Sequence, residues 1–266
     1  MTTEAERRVS YDSERQEYYR ETANRPGFRE ALAKALVQNG EQRVFDFIFE
    51  GNTYFVKQQN KKHKRRRFRW HKRDDGFEME LMRCKRAYEI CDAAPELVLA
   101  TAEYFVTLGN GTPLQVLIKP DVSDEITNRA FYGAGRVLSR LHEHGLAHGR
   151  PVLRDIAYDW EHDKTVLLDW ENTYEFSFVS SISLDILLFL HGYFREEIDR
   201  PGAIAAAIEG YMAEDNGKIR FMAARSFLLQ RRRLVELFKK FDRFGWIDLQ
   251  AITMAYDYLL AMEIPS

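Results

Sequence analysis

The chain has 266 residues, of which 45% are hydrophobic and 30% are charged, and its formal net charge is −2. This length is enough for one large domain or for a small domain joined to a larger one. Because positive and negative charges nearly balance, the net charge indicates no particular class of binding partner. The lack of an uninterrupted apolar run of ~18 residues excludes a membrane-spanning helix. The N-terminal segment is polar and mixed in charge, without the apolar centre of a signal peptide. Cys84 and Cys91 lie two helical turns apart, which is too far for a disulfide and indicates reduced thiols.

The first half of the chain is predicted to mix helices and strands. Residues 1–38 are predicted to be helical, with a break at "NRPGF". A strand hairpin follows, because the apolar positions of "RVFDFIFE" and "NTYFVKQQ" recur with a period of two. The segment "FEMELMRCKRAYEICDAA" has apolar residues at helical spacing. Residues 97–108 and 114–118 are predicted to form a second pair of strands.

The second half is predicted to be mainly helical. The polar segment 119–125 is the best internal boundary, and the helix "NRAFYGAGRVLSRLHEHG" after it ends at Gly145. His142 and His144, near the end of this helix, are expected to be exposed. A loop, the short strand "TVLLDW" and several amphipathic helices follow. We therefore predict an α+β fold with a helical N-terminal extension (1–40), a mixed α/β part (41–119) and a helical part (120–266).

Four residues, in a familiar order along the chain, are candidates for groups that phosphoryl transfer requires. The reaction needs a cation for the nucleotide phosphates, carboxylates or amides for a metal ion, and a group that orients the acceptor. Lys57 ends the strand "TYFVK", and Glu80 comes 23 residues later on the next helix. Asp155 lies in the loop "LHEHGLAHGRPVLRD", and Asp169 follows the apolar strand "VLLD". The pattern favours a phosphotransferase.

On these segments the chain resembles the protein-kinase-like superfamily, and within it most closely the bacterial lipopolysaccharide core kinases of the Kdo/heptose group. The strand pattern "R…F…G..YF.K" of that family is similar to "RVFDFIFEGNTYFVK" here. Its "LH..G..HGD…N" loop and "DFE" or "DFD" motif are similar to "LHEHGLAHGRPVLRD" and "DWE". The likeness runs from about residue 42 to 190. It implies a bilobal fold with a small mixed N-lobe and a mainly helical C-lobe.

The resemblance implies a role for each matching residue. Lys57 would bind the phosphates of ATP, and Glu80 would form an ion pair with Lys57. Asp169 would be the main ligand of Mg²⁺. Asp185, in "SLDILLF", would be the buried acid that braces the catalytic loop, and His148 would brace the same loop.

Two positions depart from the family pattern. Arg150 takes the place of the catalytic Asp, and Asp155 takes the place of the metal-binding Asn. Arginine cannot act as a base, because its pKa stays above ~12 in proteins. Asp155 can bind the metal and take over orientation of the acceptor hydroxyl, while Arg150 offsets the added charge or contacts a phosphate. A positioned base contributes ~10²–10⁴-fold, so its loss is expected to slow turnover without abolishing it. The family's glycine-rich phosphate loop is also missing in its usual form.

A basic run lies between the predicted strand of Lys57 and the helix of Glu80. Its cations alternate with aromatic residues, as expected of a surface for an anionic glycolipid or membrane, and less so of a nucleic-acid site. The residues proposed for this surface are Lys61, Lys62, Lys64, Arg65, Arg66, Arg67, Arg69 and Trp70.

Three hypotheses follow. The first is an ATP- and Mg²⁺-dependent kinase that phosphorylates a sugar hydroxyl of an anionic glycolipid, in the cytoplasm at the inner face of the bacterial inner membrane. The second is a pseudokinase that binds a nucleotide or a partner without turnover, which Arg150 favours. The third is a non-catalytic binder of anionic membrane or nucleic acid through the basic run.

Overall fold

The computed structural model describes residues 10–12, 17–59, 76–171, 176–241 and 245–263. The chain has a mixed α and β fold that divides into two compact units. The first consists of the described residues up to Glu89 together with Ala94–Gly109, and the second of Ile90–Ala93 and the described residues from Asn110 onward. Among the described residues, no helix is both long enough and apolar enough to cross a membrane.

The first unit is built on a six-stranded antiparallel sheet with the strand order β1-β2-β5-β6-β4-β3. The strands are β1 (Ser10–Asp12), β2 (Glu17–Tyr19), β3 (Val44–Phe49), β4 (Asn52–Gln58), β5 (Leu97–Ala100) and β6 (Tyr104–Leu108). Helix α1 spans Phe28–Asn39, and helix α2 spans Gly76–Cys91.

The alternation that predicted the first hairpin corresponds to its buried face. Phe45 and Phe47 of β3 and Tyr54 and Val56 of β4 are all buried, so the hairpin prediction is confirmed. Phe28, at the start of α1, packs its ring edge-on against both Phe47 and Tyr54, with centroid distances of 5.6 and 5.2 Å. Such aromatic contacts add to the stabilisation from burial alone. Helix α1 is therefore part of the core of this unit.

The prediction that residues 1–38 are helical is wrong for two described segments. Ser10–Asp12 and Glu17–Tyr19 are strands, Glu21–Asn24 is a short 3-10 helix, and Phe28–Asn39 is the α-helix among the described residues of this segment. Tyr18 and Tyr19 are paired with Ala100 and Leu99 of β5. Pairing with an existing sheet edge outweighs the weak helix propensity of such a polar segment, and propensity routinely yields to tertiary context.

The second unit combines a small sheet with a group of helices. Its three strands are antiparallel in the order β7-β8-β9. They are β7 (Thr112–Pro113), β8 (Ile156–Asp159) and β9 (Lys164–Leu167). The helices are α3 (Leu114–Leu117), α4 (Asp124–Glu143), α5 (Ser181–Arg195), α6 (Pro201–Ala213), α7 (Gly217–Leu229), α8 (Arg232–Lys239) and α9 (Ile247–Ala261). Helix α4 packs on α6, and α5 packs on α7 and α9.

The second predicted strand pair differs from the structure. Residues 97–108 contain both strands, β5 and β6, and residues 114–117 form the helical turn α3. The short strand before this turn pairs with β8, and Thr127 Oγ1 of α4 donates to the carbonyl of Leu117 at 2.8 Å. These contacts explain why the continuous part of the second unit starts at Asn110, before the predicted boundary after Lys119.

Helix α4 and strand β9 lead into the two segments that carry the predicted site residues. The Ser123 side chain accepts a hydrogen bond from the Ile126 amide and caps the start of α4. After α4 the chain turns at Gly145, which has φ +68°, and residues 146–155 lead into β8. Strand β9 ends at Leu167, two residues before Asp169.

Candidate active site

In the first unit, Lys57 and Glu80 form a buried ion pair. Lys57 lies on β4, an interior strand of the sheet, paired with Val44 of β3 and Phe105 of β6. Its Nζ donates to Glu80 Oε1 of α2, and the two side chains are 14% and 3% exposed. The ion pair implied by the family resemblance is thus present, and its role in binding a nucleotide stays a prediction.

In the second unit, Asp185 organises the backbone of the loop that follows α4. Its side chain is fully buried on α5 and accepts the amide of His148 at 2.5 Å and the amide of Gly149 at 2.8 Å. The imidazole Nε2 of His142 donates to the same carboxylate at 3.2 Å, and Tyr211 is hydrogen-bonded to His142 Nδ1 at 2.7 Å. A buried carboxylate is tolerated when several donors satisfy it, and Asp185 has three.

His148 holds the loop rather than presenting a free imidazole. It is completely buried, and its Nε2 donates to the carbonyl of Leu168 at 2.7 Å. That bond assigns the proton to Nε2, so Nδ1 accepts the amide of Arg150 at 3.4 Å. The ring also packs edge-on against Trp170 at 4.7 Å. With both nitrogens engaged, His148 positions the loop against the segment that carries Asp169.

Arg150 lies between the two carboxylates that the sequence singled out. Its Nη2 is 3.4 Å from Asp155 Oδ2 and 3.5 Å from Asp169 Oδ2. Arg154 approaches the other oxygen of Asp155, with Nε 3.4 Å from Oδ1. Two guanidinium groups therefore balance two carboxylates. The Nε of Arg150 is buried and has no acceptor among the described residues, so one strong donor is still available.

Asp155 has an environment that holds its proton more firmly than usual. Burial raises the pKa of Asp155 from its ordinary 3.8 to about 6, and the nearby charge of Asp169 acts in the same direction. The charges of Arg154 and Arg150 oppose this increase in pKa without cancelling it. A carboxylate with a pKa near the working pH can accept a proton from a hydroxyl and release it again.

Asp169 and Glu171 supply oxygen ligands suited to a hard divalent cation. Each has a carboxylate oxygen within 4.8 Å of one on the other, and the Asp169 side chain is 27% exposed. Asp169 also has φ +59°, a left-handed conformation that few non-glycine residues adopt and that occurs often at functional sites. Carboxylates are the ligands that Mg²⁺ prefers, so this donor set fits the implied metal.

A groove of about 340 Å³ lies beside the loop of residues 145–155. Its walls combine apolar side chains with three arginines and a histidine, and Glu196 is the acidic residue among them. The lining residues are Gln115, Arg150, Val152, Leu153, Arg154, Phe176, Leu184, Leu188, His191, Gly192, Arg195 and Glu196. A site with this lining suits a ligand that carries both negative charge and apolar surface.

The prediction for His142 is wrong, whereas His144 is exposed as expected. His142 is 2% exposed and forms part of the brace of Asp185. It lies four residues after the buried Leu138, so helical spacing placed it on the buried face of α4.

The basic run from Lys61 to Trp70 lies outside the described residues. Its role as a membrane or nucleic-acid surface therefore stays a prediction.

Comparison with known proteins found a similar sequence in Haemophilus influenzae and no matching family model. Over 175 residues, the chain is 28% identical to an uncharacterized protein of Haemophilus influenzae. The match covers 64% of this chain and 70% of the H. influenzae protein. No protein-family model matches the chain.

Proposed function

We propose that the protein is an ATP- and Mg²⁺-dependent phosphotransferase with a bilobal protein-kinase-like fold. It resembles the lipopolysaccharide core kinases and phosphorylates a sugar hydroxyl of an anionic glycolipid at the inner face of the bacterial inner membrane. The observation that carries the proposal is the position of Arg150 between Asp155 and Asp169, in a loop whose backbone is held by the buried Asp185.

The nucleotide and metal roles are divided among the residues already described. Lys57 binds phosphate oxygens of ATP, and Glu80 orients the lysine through their ion pair. Asp169 and Glu171 would hold Mg²⁺, which supplies positive charge against the charge that develops on the transferred phosphoryl group. Positioning and charge stabilisation dominate this type of reaction, so each group has a defined task.

Asp155 is proposed to orient the acceptor hydroxyl and accept its proton. The pKa of about 6 leaves its carboxylate ionised at neutral pH yet able to bind a proton transiently. Arg150 and Arg154 fix its two oxygens from different directions. The chain thereby places a carboxylate in the loop, although the usual position of the base carries an arginine.

The groove beside the loop is the proposed acceptor site. Arg150 and Arg154 belong to both the loop and the groove, and Arg195 adds a third guanidinium on α5. The unpaired Nε of Arg150 is suited to a phosphate oxygen of the acceptor or of the nucleotide. Leu184 and Leu188 provide an apolar wall, as expected for a glycolipid.

A thermal-shift titration with ATP, with and without Mg²⁺, tests nucleotide binding. At ~100 times its dissociation constant a ligand stabilises the folded protein by ~2.7 kcal/mol, which is several degrees for a chain of this size. We expect a Mg²⁺-dependent shift in the wild type that is lost in Asp169→Asn and in Lys57→Met. Arg233→Gln, an exposed charge change on α8, is the control and keeps the shift. No shift in the wild type contradicts the proposal.

The second candidate is a pseudokinase that binds nucleotide without turnover. The observation that favours it is the same guanidinium of Arg150, because it neutralises both carboxylates that a metal ion would use. The two functions are separated by consumption of ATP in the presence of purified lipopolysaccharide core acceptor. A thermal shift without ATP consumption supports the pseudokinase, and acceptor-dependent consumption supports the kinase.

A further inference from the structure

A second concave surface of the second unit has no part in the proposed reaction. It is a pocket of about 500 Å³ between α4 and the β8–β9 hairpin. Arg129, Arg136 and Arg140 enter it from α4, and Lys164 and Thr165 enter it from β9. The three arginines are seven and four residues apart, two turns and one turn, so they lie along one face of the helix.

A carboxylate holds each of these arginines through its Nε alone. Arg129 Nε is 3.1 Å from Asp163 Oδ1. Arg136 and Arg140 share Glu214 Oε1, at 2.6 and 3.3 Å. The terminal nitrogens of all three have no hydrogen-bond acceptor among the described residues. The pocket therefore presents three oriented guanidinium groups whose outer donors are available.

The charge balance of this cluster is positive. Three guanidinium groups are matched by two carboxylates. Hydrogen bonds from Arg129 and Tyr158 keep the pKa of Asp163 below its ordinary value against the effect of burial. Burial raises the pKa of Glu214, but the hydrogen bonds and charges of Arg136 and Arg140 outweigh it and keep that pKa below its ordinary value. Lys164 has its own partner in Asp92, at 2.9 Å. Planar guanidinium groups with free outer nitrogens match the oxygens of a phosphate group in a bidentate manner.

The floor of the pocket contains a buried hydroxyl without a partner. Thr165 is 8% exposed, and its Oγ1 has no hydrogen-bond partner among the described residues. Gly133 of α4 lies directly against it, since a Cβ at that position would be 2.3 Å from the hydroxyl. A buried hydroxyl without a hydrogen-bond partner costs free energy, and a polar ligand in the pocket would supply that partner.

We infer that this pocket binds a phosphate group. The outer nitrogens of Arg129, Arg136 and Arg140 bind its oxygens, and the hydroxyl of Thr165 donates to the same ligand at the floor. The volume accommodates a small phosphorylated compound or the headgroup of a phospholipid, and both present the same chemistry to the arginines.

Calorimetric titration with inorganic pyrophosphate at constant ionic strength tests the inference. It is done in the Asp169→Asn background, so that binding at the proposed nucleotide site does not contribute. We expect binding that weakens at least about tenfold in Arg140→Gln and measurably in Thr165→Val, a substitution of nearly equal shape. Arg233→Gln is the matched control, because α8 carries Arg232 and Arg233 without any carboxylate partner among the described residues.

A vesicle-binding assay with the same variants identifies the source of the phosphate. Vesicles of phosphatidylglycerol and phosphatidylcholine are compared with vesicles of phosphatidylcholine alone. Loss of binding in Arg140→Gln but not in Arg233→Gln supports the inference, with pyrophosphate indicating a soluble ligand and vesicles a lipid headgroup. Absence of both kinds of binding, or equal loss in the two variants, overturns it. Circular dichroism of each variant verifies that it is folded.

Discussion

The guanidinium of Arg150 lies 3.4 Å from the carboxylate of Asp155, five residues further along the same loop. In the family pattern that the sequence resembles, the first of these positions carries an Asp and the second an Asn, whereas here an Arg comes first and the carboxylate second. An acid at position 150 would therefore raise the activity if the base belongs there, and would lower it if Asp155 has taken over that role.

We expect Arg150→Asp to lower acceptor-dependent ATP consumption by ~10²-fold or more. The substitution removes the cation between Asp155 and Asp169 and adds a third carboxylate beside them, so repulsion displaces the two groups that the proposal uses. Arg150→Lys is the matched variant that keeps one charge without the planar fork, and an intermediate loss is expected. An increase in turnover on Arg150→Asp contradicts the proposed role of Asp155 and supports a pseudokinase.

The activity is expected to rise with pH through a midpoint near 6. Asp155 must be ionised to accept a proton, and burial raises its pKa to about 6. The profile of kcat/KM against pH should therefore increase up to this midpoint and level off above it. In Arg154→Gln the midpoint should move upward, since the charge of Arg154 lowers the pKa of Asp155. A profile that is flat between pH 5 and 8 contradicts this assignment.

The ionised carboxylate of Asp155 is also expected to lower the free energy of unfolding at neutral pH. The folded-state pKa lies above the ordinary 3.8, so folding favours the protonated carboxyl. Below pH ~4 both states are protonated and Asp155 contributes no cost, whereas above pH ~6 the full cost is present. We expect Asp155→Asn to be more stable than the wild type at pH 8 by roughly 1–2 kcal/mol, after allowance for solvent screening. Urea unfolding at pH 3 and pH 8 measures the difference, which should vanish at the lower pH.

The sequence pattern was sufficient to predict features that lie within one regular helix or strand. The alternation of Phe45 and Phe47 predicted the buried face of β3. The strand before Asp169 was predicted for the same reason, because its apolar run is continuous and short. The ion pair of Lys57 and Glu80 was instead expected from the family resemblance, and the structure contains it.

Features that depend on distant contacts were not predictable in this way. Residues 114–117 have an apolar pattern that fits either a strand or a helix, and pairing of the two preceding residues with β8 decides the outcome. The shared carboxylate of Glu214 joins α4 to the end of α6, and nothing in the spacing of the arginines indicates that partner. The groove beside the loop likewise combines segments far apart in the chain.

Gly135 is expected to be essential for the packing of α4 on α6. A Cβ at this position would lie 1.9 Å from the carbonyl oxygen of Ala207 and 2.7 Å from the amide nitrogen of Tyr211. Backbone atoms cannot move aside as a flexible side chain does, so Gly135→Ala should lower the free energy of unfolding by ~3 kcal/mol or more. Gly76→Ala is the control, because nothing lies within 4 Å of its Cβ position, and its effect should stay within about 1 kcal/mol. Equal midpoints of thermal unfolding for the two variants would contradict the close packing.

Asp185→Ala is expected to destabilise the second unit by ~3–5 kcal/mol. The substitution leaves the amides of His148 and Gly149 and the Nε2 of His142 without their acceptor inside a buried region. Asp185→Asn keeps one acceptor oxygen and should cost less, since only part of the network is lost. Asp121→Ala, an exposed position, is the control and should be neutral. Hydrogen exchange of the His148 and Gly149 amides provides the local measurement. Unchanged protection of these amides in Asp185→Ala would show that the carboxylate does not hold the loop.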